Sequence, residues 1–447
     1  MKIFVDSTPI ECQEGELLID VLLNNSIEIP HFCYHQDLGA DGNCRMCMVE
    51  IKGQKRPQVA CDTFVSEGLE VFTKTKSINE VKRSILELEL LNHPVDCPIC
   101  DQAGECKLQD YYMDYGLYES HLSTPKTKKG KAIDLGCNVM LDQERCVLCT
   151  RCVRFTRDIT KTNELGIIGR GDSTRVATAP NHPLNNPYAM NVVELCPVGA
   201  LTSKDFRFKQ RVWFLDSVKS ICHGCSRGCN IFIDYNETKY SDEKVYRFRA
   251  RRNKQINQSF LCDEGRVSYK KLNEKIDAKI SNIEEFKELL NEENKVAVVS
   301  PSMSMQQLQA VKEFCQKYSV ELFSLAYRDE EFGDAWLKTN DRSANLLGVK
   351  ELNISTSKDD CEASFIGADV IINFDNHMLK NIEFNNKKIV HFTTTNVKSR
   401  YEQMFIIANF AHESGTLINC DGIRQDFYAT KYKCDAPRLI ELLEELK

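Results

Sequence analysis

No stretch of the 447 residues approaches the roughly 18 consecutive apolar residues of a membrane span, so none is expected to cross a bilayer. Nor is charge of one sign in excess. The chain carries 58 basic against 65 acidic side chains, a net of −7, too mild for a nucleic-acid binder or a polybasic membrane clamp. The opening MKIFVDSTPIECQEGELL has no basic segment leading into an apolar core and a small-residue cleavage site; no secretory signal is expected there. No GxGxxG follows a strand and no phosphate-binding GxxxxGK run occurs, so neither a nicotinamide site nor a nucleotide loop is signalled. HExxH and a visible Ser/His/Asp arrangement are also missing, as are internal repeats and low-complexity segments. With 42% hydrophobic residues the chain can bury a core, which excludes wholesale disorder, and its length predicts about three domains.

What is abundant is cysteine, 21 residues in all. In a chain expected to stay reduced, clustered cysteines point to metal or redox chemistry before disulfides. Fifteen of them, with one histidine, form four groups between residues 33 and 262, and only four scattered ones follow.

The coarse pattern predicts strand Lys2–Val5, a second strand, a helix over Glu16–Asn25 and strand-like alternation over Arg45–Ile51. A helix is predicted from about Ser77 to Leu91, with Ser77 and Glu80 in capping-box spacing and Val81, Ile85 and Leu88 on one side, ending before Pro94. Residues 221–270 read as short and loop-rich, and the basic run Arg247–Arg252 as a solvated face. Beyond 272 an amphipathic helix (Ile276, Ile280, Ile283, Phe286, Leu290), strand Val296–Val299, helix Ser304–Tyr318 and strands Val370–Phe374 and Lys388–Phe392 predict an α/β tail.

The first ligand set is Cys33, Cys44, Cys47 and Cys61. Four thiolates with Gly39 and Gly42 in the wrapping loop suit a [2Fe–2S] cluster, and a structural zinc site is the alternative. His93, Cys97, Cys100 and Cys106 form the second set, whose spacing fits zinc and a [4Fe–4S] cluster about equally. If His93 binds iron, a neutral ligand replaces a thiolate and raises the potential. The third set, Cys146, Cys149 and Cys152 with Cys196-Pro197, offers three sulfurs at a pitch that zinc seldom uses and a remote fourth, which points to [4Fe–4S]. Cys222, Cys225, Cys229 and Cys262 make the fourth set, a zinc ribbon or a [4Fe–4S] site. Cys12, Cys137, Cys315, Cys361, Cys420 and Cys434 fit no set and read as buried or free thiols. One-electron centres with nothing to handle a hydride describe a wire, in which the polypeptide tunes potential and excludes water.

Residues 30–61, His93–Cys106, Arg145–Phe155 and Cys196–Thr202 together resemble the iron–sulfur G subunits of bacterial NADH:quinone oxidoreductase, respiratory complex I. The resemblance runs over roughly residues 1–270. It implies one [2Fe–2S] cluster on the first set and [4Fe–4S] clusters on the other three, the second bound by one histidine and three cysteines. It also implies no flavin or molybdopterin on this chain, and no site here that converts a substrate. Electrons would pass from a flavin-bearing, NADH-oxidising partner toward a further [4Fe–4S] subunit and quinone. The implied location is the cytoplasmic face of the inner membrane, peripheral and held through the complex. The stretch Glu413–Gln425, with Gly415, Thr416, Asn419, Gly422, Arg424 and Gln425, resembles more weakly the molybdopterin-oxidoreductase-like domain of the family.

The expected fold is α+β and multidomain. A β-grasp [2Fe–2S] ferredoxin domain (1–76) precedes a one-histidine [4Fe–4S] domain (77–116) and an all-cysteine ferredoxin-like domain (117–215). A molybdopterin-oxidoreductase-type [4Fe–4S] domain (216–270) and a shortened α/β domain without cofactor (271–447), read as a docking scaffold, complete it. An NAD-linked formate dehydrogenase or hydrogenase chain is the alternative. The formate enzyme would need a Cys or selenocysteine beside His in the tail, and the iron-only hydrogenase further paired cysteines; neither pattern occurs.

Overall fold

The computed structural model describes residues 1–116, 119–237, 243–275, 282–381, 387–395 and 403–446. It divides into two compact units, Met1–Phe214 and Leu215–Lys447.

The first unit opens on the alternation of Ile3 and Val5 inward against Lys2 and Phe4 outward, which a half-buried strand requires. Strand Lys2–Val5 pairs antiparallel with Thr8–Glu11 and parallel with Glu70–Phe72. Met48–Ile51 and Gln58–Val59 complete a five-stranded sheet. Helix Leu18–Asn24 lays Leu18, Ile19, Val21 and Leu22 into the core with Ile3, Val5, Val49 and Val71. This is the β-grasp arrangement; the loop between helix Leu18–Asn24 and strand Met48–Ile51 carries Cys33, Cys44 and Cys47, and the 3-10 turn Ala60–Asp62 carries Cys61.

Helix Lys76–Asn92 corrects its expected cap. Thr75, not Ser77, accepts from the Ile78 amide at 3.2 Å. The buried stripe is Ile78, Lys82 and Leu86, whereas Leu88 is exposed. Lys82 reaches inward because its ammonium donates to the Thr73 carbonyl at 2.9 Å, which offsets part of the cost of burying it. The helix stops at His93 because Pro94 disfavours helical backbone in the residue before it. Farther along, strands Leu201–Ser203, Val139–Leu141 and Ile133–Gly136 form a small antiparallel sheet.

The second unit begins with a three-stranded antiparallel sheet, Asp216–Ile221, Asn230–Tyr235 and Val245–Ala250, in the segment expected to be loop-rich. Arg247–Ala250 of the basic run belong to the third of these strands and not to a solvated face, while Arg252 beyond it is exposed. Phe248 is buried, and the Arg247 and Arg249 guanidiniums pair with the buried Asp234 carboxylate at 2.7 and 2.6 Å. Two cations hold the Asp234 carboxyl below its ordinary pKa, although burial pushes the other way.

A five-stranded parallel sheet follows, in the order Glu321–Phe323, Lys295–Val299, Val370–Phe374, Lys388–Thr393, Gln403–Ile406. Unbroken burial along Lys295–Val299 and Val370–Phe374 is what a parallel sheet covered on both faces demands. Helix Met305–Lys317 is capped by the reciprocal bonds of Ser304 and Gln307 and packs Leu308, Val311 and Phe314 on one face, while Cys361 and Phe365 cover the other. The helix expected from 272 is Ile283–Leu289; Ile276 and Ile280 lie outside the described residues. In open sheets of this order, ligands settle beyond the carboxyl ends of the strands, where the order reverses. At that end of the sheet the chain's own side-chain amides bind backbone carbonyls. Asn376 Nδ2 donates to the Val299 and Leu325 carbonyls at 2.9 Å each, and Asn345 Nδ2 to that of Met303 at 2.7 Å. Among the described residues, no helix is long and apolar enough to cross a membrane.

Candidate metal centres

The structure brings the members of each of the four sets together. Cys33, Cys44, Cys47 and Cys61 are all buried, with Cys33 in hydrogen-bond reach of both Cys44 and Cys61, and Cys47 of Cys61. Gly39 and Gly42 have φ of +73° and +70°, the left-handed backbone that lets the loop wrap. The Phe32 amide donates to Cys44 Sγ at 3.4 Å.

His93, Cys97, Cys100 and Cys106 line one cavity of about 450 Å³. Burial pushes the His93 imidazole down to about 4, so the ring is neutral near pH 7, the form that binds metal. Cys146, Cys149, Cys152 and Cys196 lie close enough to raise one another's pKa. Burial, the larger cause, takes Cys196 to about 11 and Cys146 and Cys149 to about 12. Leu148 and Thr150 sit between these cysteines at φ +49° and +64°, left-handed backbone on either side of Cys149. Cys222, Cys225, Cys229 and Cys262 line a cavity of about 320 Å³, and the Gly224 and Gly265 amides donate to Cys222 and Cys262 Sγ at 3.4 and 3.3 Å.

Among the described residues, no three His, Cys, Asp or Glu side chains are gathered tightly enough to hold a single metal ion. The donor sets nevertheless fit a polynuclear group. Thiols that burial holds protonated become thiolates only against compensating positive charge, which iron supplies. Donors on the walls of a cavity leave room for inorganic sulfide between them.

The sets of the first unit are joined by groups that local spacing does not single out. The Lys107 amide, next to Cys106, donates to the Pro197 carbonyl, next to Cys196, at 2.9 Å. Gly199 lies so near the second set that a Cβ there would stand 2.1 Å from Cys100 Sγ. Arg145 grips Asp96, between His93 and Cys97, at 2.7 and 3.1 Å. Arg151 donates to the Tyr34 carbonyl and, at 3.3 Å, to that of Leu195. Arg154 donates to the carbonyls of Cys33, Leu38 and Gly39. All three arginines are buried. Their signal in the sequence is their place in and beside the third cysteine run.

Four families match in succession. Residues 1–76 match a 2Fe-2S iron–sulfur cluster binding domain and 82–121 the NADH-ubiquinone oxidoreductase-G iron–sulfur binding region. Residues 136–202 match the ferredoxin-like domain of the third NADH-quinone oxidoreductase subunit, and 215–274 the molybdopterin oxidoreductase Fe4S4 domain. The chain is 38% identical over 270 residues to the NADH-ubiquinone oxidoreductase 75 kDa subunit of Reclinomonas americana. It is 39% identical over 269 residues to the G subunit of the NADH-quinone oxidoreductase of Rickettsia conorii. In these domains the chain is similar to NADH-quinone oxidoreductase G subunits. Each alignment takes in 60% of the chain and covers 38% and 39% of the two relatives. A solved NAD+-reducing [NiFe]-hydrogenase chain, 30% identical, overlaps 47% of this chain and 90% of its own length with a TM-score of 0.43, too low an overlap to inform the fold.

All sixteen expected ligand positions fall within the four matched ranges. Of the remaining cysteines, Cys315 and Cys361 are buried in the parallel-sheet core, Cys12 and Cys434 are half-buried, and Cys137 and Cys420 are exposed.

Proposed function

We propose that this chain is an electron-relay subunit of the peripheral arm of an NADH:quinone oxidoreductase. In this reading Cys33, Cys44, Cys47 and Cys61 hold one [2Fe–2S] cluster. Three [4Fe–4S] clusters sit on His93 with Cys97, Cys100 and Cys106, on Cys146, Cys149, Cys152 and Cys196, and on Cys222, Cys225, Cys229 and Cys262. A flavin-bearing partner stands upstream, and a further [4Fe–4S] subunit and quinone downstream, on the cytoplasmic face of the inner membrane. The expected division at 76, 116, 215 and 270 is retained.

One observation carries the reading: the ligand sets of the first unit are neighbours through single hydrogen bonds. Cys106 and Cys196 are separated by the Lys107–Pro197 bond; Arg151 spans the carbonyls beside Cys33 and Cys196. Bound iron–sulfur groups supply reversible one-electron chemistry. The chain's own work is to hold the ligands, to exclude water by burying them, and to set the local field. Amide-to-sulfur bonds at Cys44, Cys146, Cys222 and Cys262 and the buried Arg145, Arg151 and Arg154 favour added negative charge, so they raise potentials.

Iron and acid-labile sulfide assays with EPR of the reduced protein test the assignment. One two-iron and three four-iron groups make about fourteen iron atoms per chain. A count near ten removes one cubane set, and a colourless zinc-bearing preparation overturns the reading.

A further inference from the structure

We propose that the hairpin Gly415–Ile418/Arg424–Phe427 and its turn form the positioning element of the fourth ligand set, shaping the Cys225–Cys229 loop from outside. The proposal rests on the reading that this set holds a cluster. It gives a task to the motif Gly415, Thr416, Asn419, Gly422, Arg424 and Gln425, which the relay reading leaves unused.

Three consecutive carbonyls lie between Cys225 and Cys229, and each accepts from this one hairpin and its turn. Ser226 O takes the Cys420 amide at 2.8 Å, Arg227 O takes Asn419 Nδ2 at 3.2 Å, and Gly228 O takes Gln425 Nε2 at 2.9 Å. The approach is close enough to dictate sequence. Gly228 has φ +63°, and a Cβ on it would stand 2.8 Å from Gln425 Nε2.

The donors are themselves fixed. Asn419 Oδ1 accepts the Asp421 and Ile423 amides at 3.1 and 2.8 Å, and Gln425 Oε1 accepts from Asn230, the residue after Cys229. Asn419, Gln425 and Asn230 are all buried, so water does not substitute for a lost bond and each unpaired carbonyl carries its full desolvation cost.

The turn is anchored in its own right to the parallel-sheet body. The Ile418 amide donates to Asn345 Oδ1 at 2.8 Å and the Thr416 amide to Gln306 Oε1 at 3.0 Å. Gly415 packs on Ser304, where a Cβ would come within 2.5 Å. The same loop is also held by Arg342, whose Nε donates to Gly224 O at 2.7 Å, and by Asp341 O, which accepts the Ser226 amide at 2.8 Å. The loop has no regular secondary structure of its own between Cys222 and Cys229. Its shape is imposed by the body, which acts as a brace where a docking scaffold was expected.

Asn419→Asp and Gln425→Glu isolate the brace. Each keeps the acceptor roles toward Asp421, Ile423 or Asn230 and replaces the donor to Arg227 or Gly228 by a carboxyl oxygen, which repels the carbonyl it faces. In the full chain, loaded with iron and sulfide, Cys229→Ser first identifies the signal and the four iron atoms that belong to the fourth set. The double variant N419D/Q425E should then release those four iron atoms to a chelator about tenfold faster than the unaltered chain. Its fourth-set EPR signal should broaden and its potential shift, with the other ten iron atoms and their signals unchanged. The single variants should fall between, which keeps the test open if the double variant folds poorly. A normally melting variant with unaltered release rate, line shape and potential overturns the brace. If Cys229→Ser leaves the iron content unchanged, the cluster reading itself fails and the proposal falls with it.

Discussion

Replacing Asp96 by Asn tests whether the second and third ligand sets are mechanically one object. Asp96 sits between two members of the second set and receives Arg145, which precedes Cys146, through bonds of 2.7 and 3.1 Å. Lys131 completes the cluster at 3.2 Å from Asp96 and 3.4 Å from Asp142, with Arg145 also 3.3 Å from Asp142. Both Arg145 and Asp142 have side chains only 6% exposed, so the guanidinium has little water to fall back on. Breaking one partner of a buried pair costs about 3–5 kcal/mol; Asp142 remains, so about 3 kcal/mol is the expected loss. For a unit of 214 residues each kcal/mol moves Tm by about 2–4 °C, so D96N should melt about 6–12 °C lower. Arg145→Met should lose a similar amount, and the double variant should lose less than the two together by about 1–3 kcal/mol. The assay is bleaching of cluster absorbance on heating at fixed scan rate. The pair also predicts a pH dependence. The folded Asp96 carboxyl is held low by Arg145 and Lys131 against the opposing push of burial, so its contribution is present above the ordinary carboxylate pKa and fades as pH falls through the folded value. D96N should lack that acid-side decline. Additive losses within about 0.5 kcal/mol, or a Tm unchanged in D96N, would refute the reasoning.

His93→Cys should keep a four-iron cluster while adding a negative ligand, so the second set's potential should fall in a redox titration; an unmoved potential and spectrum would remove His93 from the ligands. Gly199→Ala would drive a methyl into Cys100 Sγ, 2.1 Å from the new Cβ; the variant should lose the second set's four iron atoms while keeping the first set's EPR signal, and a full iron count would contradict the contact. Glu413 is buried, with Oε1 unpartnered among the described residues, and burial lifts its carboxyl to about 7. A carboxyl that holds its proton better folded than unfolded stabilises fully below about pH 4.5 and loses that contribution as pH rises through 7. The second unit should therefore lose up to about 3 kcal/mol between those limits. Glu413→Gln should flatten the profile, and parallel denaturation curves for the two proteins would sink the account.

The candidate ligand sets were legible because metal-binding residues are recognised by type and local spacing, and twelve of the sixteen positions lie within a few residues of a set-mate. The strands Lys2–Val5 and Val370–Phe374 were equally open, the first from period-two alternation and the second from a run dense in apolar residues. The sequence misled where a tertiary partner reverses local character. Arg247 and Arg249 look solvated until Asp234, thirteen and fifteen residues away, is seen beneath them. Lys82 looks like a surface residue until the Thr73 carbonyl receives it. Thr75 outcompetes Ser77 as helix cap because extended backbone at Thr75 puts its hydroxyl against the Ile78 amide.

What the sequence determined alone was chemistry: which sulfur and nitrogen atoms are offered, and in which groups, because coordination preferences are properties of side chains and short spacings. What only the tertiary structure decided was adjacency. The contact of Gly199 with Cys100, the span of Arg151 between Tyr34 and Leu195, and the grip of Asn419 and Gln425 on a loop almost two hundred residues away join positions remote in the chain. Long-range hydrogen bonds leave no periodic trace in sequence. They exist only where burial has removed the water that would otherwise compete for the same carbonyls.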